Sequence, residues 1–490
     1  MKFNKIVFAG SIAIAIVAAV IAYRTLTFAP EGVAHANDIK LAAIPDFDLA
    51  KAAQHLGQAA RLQTVSHQDV KDNDLTQWTQ LHSWLQSTYP SAHGAMSREF
   101  AAEQTLIYTW KGSDSALQPI ILMAHQDVVP VTQGTEKDWT HPPFSGEITN
   151  DAVWGRGTVD DKGSLVALME AIDGLAKAGF KPKRTIYLVS GHDEEAGGTG
   201  AKAAADLLGA RGVKALFTID EGSATVLDAP VINGPAALIG IAEKGYATLK
   251  VTANAAGGHS SMPPKETGVI NLAKAIIAIN DNSFPLEVRG PGAQMLGTLA
   301  ARKGGAAKLV MANLWAFAPL MKKQAGSTPP GAAMLHTTIA PTMLEGSPKE
   351  NVLPQSATAL INYRIAPWNS SADVMARAKS AVGSMPVKLS WVKPPREPSK
   401  VSSTNSQGWK FVVAAVQSDF PQAALAPYLV VAGTDSRSFQ DISQDVYRYQ
   451  PLHFKVADTK MIHGTNEHMT FDNLKRSIIF YARLIATSAG

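Results

Sequence analysis

The chain runs to 490 residues, 46% apolar and 18% charged, with a net charge of +4. That length and apolar content suit two globular domains, and the small positive balance without a basic run argues against a nucleic-acid partner. There is no cysteine, which excludes disulfides, thiolate metal sites and a cysteine nucleophile.

At the N-terminus, Lys2 and Lys5 flank an uncharged apolar stretch from Ile6 to Tyr23, closed by Arg24. This predicts a membrane-spanning helix with its N-terminus inside. Cleavage at the Ala34-His35-Ala36 triplet would instead release a secreted or periplasmic chain. Residues 1–40 are therefore set apart as an anchor or signal segment, and the rest is expected to be exported. Residues 37–60 read as a linker running into a helix. From residue 104 short apolar runs alternate with helical patterns: QTLIYTW, PIILMAH, RTIYLVS and ALFTID read as strands. Between the second and third of these, Leu165, Leu168, Met169, Ile172 and Leu175 fall at helical spacing within Ser164–Phe180. Strand–helix alternation predicts an α/β domain with a mixed, largely parallel sheet.

Near residue 245 the pattern changes. YATLKVTANA alternates as a half-exposed strand does, and GVINLAKAIIAI reads as a helix. A Gly- and Ala-rich middle follows, then TALINYRIAP alternates again. This predicts a smaller α+β lid inserted in the first domain: residues 41–243 and 369–490 form the catalytic unit and 244–368 the lid. The text ends in a helix, LKRSIIFYARLIA, with Thr470 as its N-cap.

Candidate ligands fall at the ends of the predicted strands. His125 and Asp127 follow one, Glu194 and Glu195 another, and Asp220 and Glu221 a third, while Asp160 and Asp161 precede the long helix. In open α/β sheets ligands bind beyond the carboxyl ends of the strands, so these clusters are expected to converge. Converging carboxylates need a cation. One or two imidazoles among many carboxylates suit Zn²⁺, with Mn²⁺ or Co²⁺ as alternatives. So many acids fit two ions about 3.5–4 Å apart, bridged by one carboxylate and a water. Taken singly, each cluster has an ordinary explanation: a solvated helix face, an N-cap or a turn.

The motifs HQDVVP, WTHPPFSG (Trp139–Gly146), WGRGTVDDKG, GHDEEAGGTGA, IDEG, GGHSSMPP, NVLPQSATALINYR, GTDSR and HGTNE, spread over residues 50–485, resemble a known family. It is that of the dinuclear zinc metallopeptidases, which includes carboxypeptidase S, glutamate carboxypeptidase and aminoacylase, and the likeness is greatest to the carboxypeptidase S branch. The resemblance implies that His125 and Asp220 bind one metal, Glu195 and His463 the other, and that Asp160 bridges them. It makes Glu194 the general base and has Asp127 hold the His125 ring. It implies that His259 stabilises the oxyanion, often in a partner subunit, so that the lid forms a homodimer. Arg364 and Asn351 would fix a substrate carboxylate, with Arg437 a second candidate and Gly433 and Thr434 lining the same pocket. His192 and Asp193 are read as shaping the turn, and His453 and His468 are given no ligand role.

The expected activity is hydrolysis of an amide bond beside a free carboxylate, in short peptides or in N-acyl amino acids. Some relatives run the latter reaction in the condensing direction. The alternatives are a deacylase that needs no carboxylate clamp, and a non-catalytic tethered binding protein on the same fold.

Overall fold

The computed structural model describes residues 2–30 and 39–490, with side chains from Ser11 onward. The larger unit is built on a ten-stranded sheet. At its centre Ile120–Met123 runs parallel to both Ile186–Ser190 and Ala215–Asp220, and Ser443–Arg448 runs parallel to Ala215–Asp220. The first three of these strands are largely apolar on both sides because helices cover both faces. Ile120 and Leu122 join the core under the helices Leu49–Arg61, Lys162–Lys177 and Phe471–Ala489. Ile121 and Met123, one residue out of phase, pack on Thr199–Ala210 instead. Thr470 accepts from Asn473 N and caps the last helix, as its sequence predicts.

The smaller unit is a four-stranded antiparallel sheet in the order Thr338–Glu345, Ser356–Ile365, Gly245–Asn254, Val387–Trp391. Along Gly245–Asn254 every second residue is buried. The buried set, Ala247, Leu249, Val251 and Ala253, packs under the helices Gly268–Asp281 and Ser371–Val382.

Two features depart from the expected boundaries. The strand Val387–Trp391 pairs with Gly245–Asn254, so the chain leaves the lid near the Tyr246–Arg396 bridge rather than at residue 368. Residues 290–335 lie within the lid's sequence, yet their helices return to the large sheet. Leu296 and Ala300 of Gly290–Lys303, with Met334 and Leu335, pack on Leu429 of the strand Ala424–Val430. Local pattern marks a helix but does not say which sheet it covers.

The first helix, Lys2–Thr27, docks by its C-terminal end on this excursion. Arg24 Nε donates to Ala312 O (3.1 Å), and Asn313 Nδ2 donates to Thr25 Oγ1 (3.0 Å). Among the described residues no helix is long and apolar enough to cross a membrane. The expected span is thus not supported: it drew on Ile6–Gly10, whose side chains fall outside the described set, as does the Ala34–Ala36 triplet.

Candidate metal centre

The carboxyl ends of the central strands deliver the acidic clusters to one crevice. His125 Nε2 lies 2.9 Å from Asp160 Oδ1 and 3.6 Å from Glu221 Oε1. His463 Nε2 lies 3.1 Å from Asp160 Oδ2 and 3.1 Å from Glu195 Oε2. His125, Asp160 and Glu221 form one candidate metal group, and Asp160, Glu195 and His463 a second. Asp160 presents one oxygen to each, which is the geometry of a bridging ligand.

The expected ligand Asp220 is in neither group. It is the last residue of the strand Ala215–Asp220, and its Oδ2 accepts the Ser436 N–H (2.8 Å). Glu221, one residue on, points the other way, toward His125. Successive side chains alternate about a strand, and IDEG offers two acids without saying which faces the crevice. Asp127 also has a broader role than holding a ring. His125 Nδ1 is 2.9 Å from the Asp127 carbonyl oxygen, while the Asp127 carboxylate accepts the N–H groups of Glu194 and Glu195 (3.1 Å each) and the Ser66 hydroxyl. It thereby ties the acidic turn to the ligand strand. Asp193 closes the same turn by accepting from Gly200 N (2.9 Å) and Thr199 N (2.8 Å).

Glu467 went unassigned in the sequence although it lies in the HGTNE motif. Fully buried, it accepts from Val159 N (2.8 Å) and Asp160 N (3.1 Å), and Arg156 Nη1 donates to it (2.7 Å). It therefore sets the backbone that carries Asp160, the residue shared by the two candidate groups.

The electrostatics fit cations. Burial, then the Asp160 charge, pushes the Glu221 carboxyl up to about 8. Burial, then nearby acids, holds the Glu194 carboxyl well above the usual range. Hydrogen bonds to Asp160 and Glu195 raise the His463 imidazole to about 10. Glu195 Oε1 is buried with no hydrogen-bond partner among the described residues. A buried orphan oxygen beside crowded carboxylates and two imidazoles is a donor set that hard or borderline metal ions satisfy.

This charge pattern predicts how the metal-stripped protein responds to pH. Glu221 and His463 both hold a proton more tightly folded than unfolded. Their contribution to stability is therefore complete below their ordinary values, 4.5 and 6.5, and is lost as pH rises toward about 8 and about 10. Asp160, pulled below its ordinary value of 3.8 once its two histidines outweigh burial, acts in the opposite sense only in acid. The melting temperature of the stripped protein should fall as pH rises from 5 to 8, and Glu221→Gln should flatten the fall. A stripped protein that melts higher at pH 8 would refute this account.

Two chambers meet at the metal groups. The first, about 540 Å³, is lined by Lys244, Arg364, Lys393, Arg396 and Arg437, with Gly433, Thr434 and Glu194. The second, about 350 Å³, is lined by Val226, Leu238, Tyr428, Phe454 and Ile462, and also reaches Asp160, Glu194 and Glu221. Arg364, Arg437, Gly433 and Thr434 are thus at the crevice, Arg364 stacked on the Tyr246 ring at 4.7 Å. His259 and Asn351 are not. His259 is exposed in the short ladder Gly258–His259/Val352–Leu353, and Asn351 O accepts from Ser260 N beside it (3.1 Å). Neither lines either of these two chambers.

Residues 121–487 match the family model "Peptidase family M20/M25/M40". The chain belongs to the M20 peptidase family. It is 34% identical to a probable carboxypeptidase S-like 2 of Dictyostelium discoideum over 440 residues, covering 88% of this chain and 84% of that one. It is also 34% identical to the N-fatty-acyl-amino acid synthase/hydrolase PM20D1 of Homo sapiens over 435 residues, 87% and 86% of the two chains. The fold is that of an M20 family metallo-carboxypeptidase from Sulfolobus solfataricus, with a TM-score of 0.67 at 18% identity over 89% of this chain and 98% of the other. This M20 protein is accordingly a metal-dependent hydrolase of amide bonds.

Proposed function

We propose that this chain uses two zinc ions to hydrolyse the amide that joins an apolar acyl group to an amino acid with a free carboxylate. The observation that carries the reading is the pair of chambers of opposite character meeting at the metal groups. Three arginines and two lysines outnumber the carboxylates of Glu194, Glu195 and Asp435 in the lining of the first, where a substrate carboxylate would be held. Aliphatic and aromatic side chains line the second, where an acyl chain would be desolvated. Away from the acids of the metal groups, the walls of the second chamber offer the ammonium of a peptide no charged partner, and burying an unpaired charge is costly. Peptide cleavage, after the carboxypeptidase S-like relatives, is therefore the second reading.

When bound, zinc lowers the pKa of a water and polarises the scissile carbonyl. Asp160 would bridge, His125 and Glu221 would hold one ion, and Glu195 and His463 the other. Glu194 reaches both chambers and would take the proton of the attacking water, then pass it to the leaving nitrogen as the C–N bond breaks. The products are a carboxylic acid and an amino acid. The presence of this base beside both groups favours an enzyme over the non-catalytic binding protein. His259, exposed and lining neither chamber, would complete the oxyanion site of a second copy.

The test is a hydrolysis series from N-acetyl to N-palmitoyl amino acids. Burial of each added CH₂ contributes ~0.8 kcal/mol, so kcat/KM should rise about fourfold per methylene until the chamber fills. Converting the substrate carboxylate to a carboxamide should lower kcat/KM by about tenfold or more, as a charge-assisted pair is lost. Free dipeptides hydrolysed as well as the long-chain acyl compounds would reject this reading in favour of the second.

A further inference from the structure

Two of the chain's crossings between the sheets, at Glu243–Tyr246 and at Arg396–Ser399, are tied together. Tyr246 N donates to Arg396 O (2.8 Å), Arg396 N to Tyr246 O (2.9 Å), Ser399 N to Glu243 O (3.1 Å) and Glu243 N to Ser399 Oγ (2.8 Å). The Glu243 side chain turns from this joint into the catalytic unit and is fully buried. Its Oε1 accepts from Arg448 Nε (2.6 Å) and from Thr434 Oγ1 (2.7 Å). Its Oε2 has no hydrogen-bond partner among the described residues and lies 4.0 Å from Arg437 Nη1. Arg437 Nη2 donates in turn to Glu397 O (2.6 Å), on the second crossing. Ser436 N is held by Asp220, next to the metal-group residue Glu221.

A buried ion pair is a poor source of stability, because desolvation offsets the attraction. Arg448 and Glu243 are both fully buried, and Arg448 Nη2 also lacks a partner among the described residues. What the pair does do is geometric. One carboxylate reaches the loop Gly433–Arg437 at Thr434, at Ser436 Oγ (3.4 Å) and at Arg437, and that loop lines the first chamber.

We infer that Glu243, held by Arg448, is a positioning residue. It sets Thr434 and the Arg437 guanidinium at the chamber wall, and so makes recognition of the substrate carboxylate depend on the docked joint between lid and catalytic unit. The inference rests on the reading of that chamber as the carboxylate site. At 4.0 Å the orphan oxygen attracts Arg437 Nη1 without hydrogen-bonding it, while Nη2 is held by Glu397 O, which leaves Nη1 to pair with a substrate.

Two variants test this. Glu243→Gln keeps the shape and removes the charge. The double variant Glu243→Gln/Arg448→Met removes both charges, so that no buried arginine is stranded if the single variant unfolds. Backbone hydrogen exchange over residues 433–439 is measured together with KM and kcat on an N-acyl amino acid and on its carboxamide. The folded variant is expected to exchange about tenfold faster in that segment and to show a KM for the acid raised about tenfold. Its kcat on the acid should stay within about threefold of wild type, and its kinetics on the carboxamide should not change. Unchanged exchange overturns the inference. So does faster exchange without a rise in KM, or an equal loss of kcat on both substrates, which is what a purely structural role would produce. If wild type hydrolyses the carboxamide as well as the acid, the functional reading falls instead, and the exchange rates still decide whether Glu243 orders the loop.

Discussion

Glu194→Gln is expected to lower kcat by about 10²–10⁴-fold, the range that a positioned general base contributes. The protein should still load about two zinc ions. The substitution is isosteric and touches little else. The turn Glu194–Ala196 is held through backbone groups, with Asp127 accepting the N–H of both Glu194 and Glu195, so removing the Glu194 charge leaves that scaffold in place. Glu194 belongs to neither metal group, so the ligands are also untouched. What disappears is the group that, in the proposed mechanism, would move the proton from water to the leaving nitrogen. Full metal content with kcat within tenfold of wild type would remove Glu194 from the reaction.

Glu221→Gln and Asp220→Asn separate two adjacent acids, of which the sequence resemblance names Asp220 as the ligand. Glu221 shares a candidate metal group with His125 and Asp160, whereas Asp220 accepts the Ser436 N–H. Glu221→Gln should leave the protein with about one tightly held ion and cut kcat/KM by about a thousandfold, because a dinuclear site works as a unit. Asp220→Asn removes a supporting contact, and changes of that kind cost about 10–100-fold in metal affinity. That variant should load both ions when zinc is in excess. Metal analysis after gel filtration distinguishes the two, and the reverse result would restore Asp220 as the ligand.

Much of the molecule could be read before any coordinates. The strands Thr105–Trp110, Ile186–Ser190 and Ala215–Asp220 announce themselves as short apolar runs, because strands covered on both faces have no polar side to show. His125, Asp160, Glu195 and His463 each stand beside a punctuation of Gly or a change of pattern at an element's end. The structure brings those four together. Glu467 and Glu243 carried no such signal. One acts on backbone N–H groups and the other through a loop nearly 200 residues away, and neither contact leaves a local pattern.

What the sequence determined on its own was the class of architecture and the membership of the family. Periodicity and strand-end acids are local properties, written in consecutive residues. Only the tertiary structure decided which acid of IDEG faces His125, since that depends on where the strand ends and how its last side chains alternate. It likewise decided that residues 290–335 return to the large sheet, that Val387–Trp391 stays with the small one, and that His259 and Asn351 line neither chamber. These are questions of which surfaces meet. Burial of apolar area settles them over the whole chain at once, without regard to distance along it.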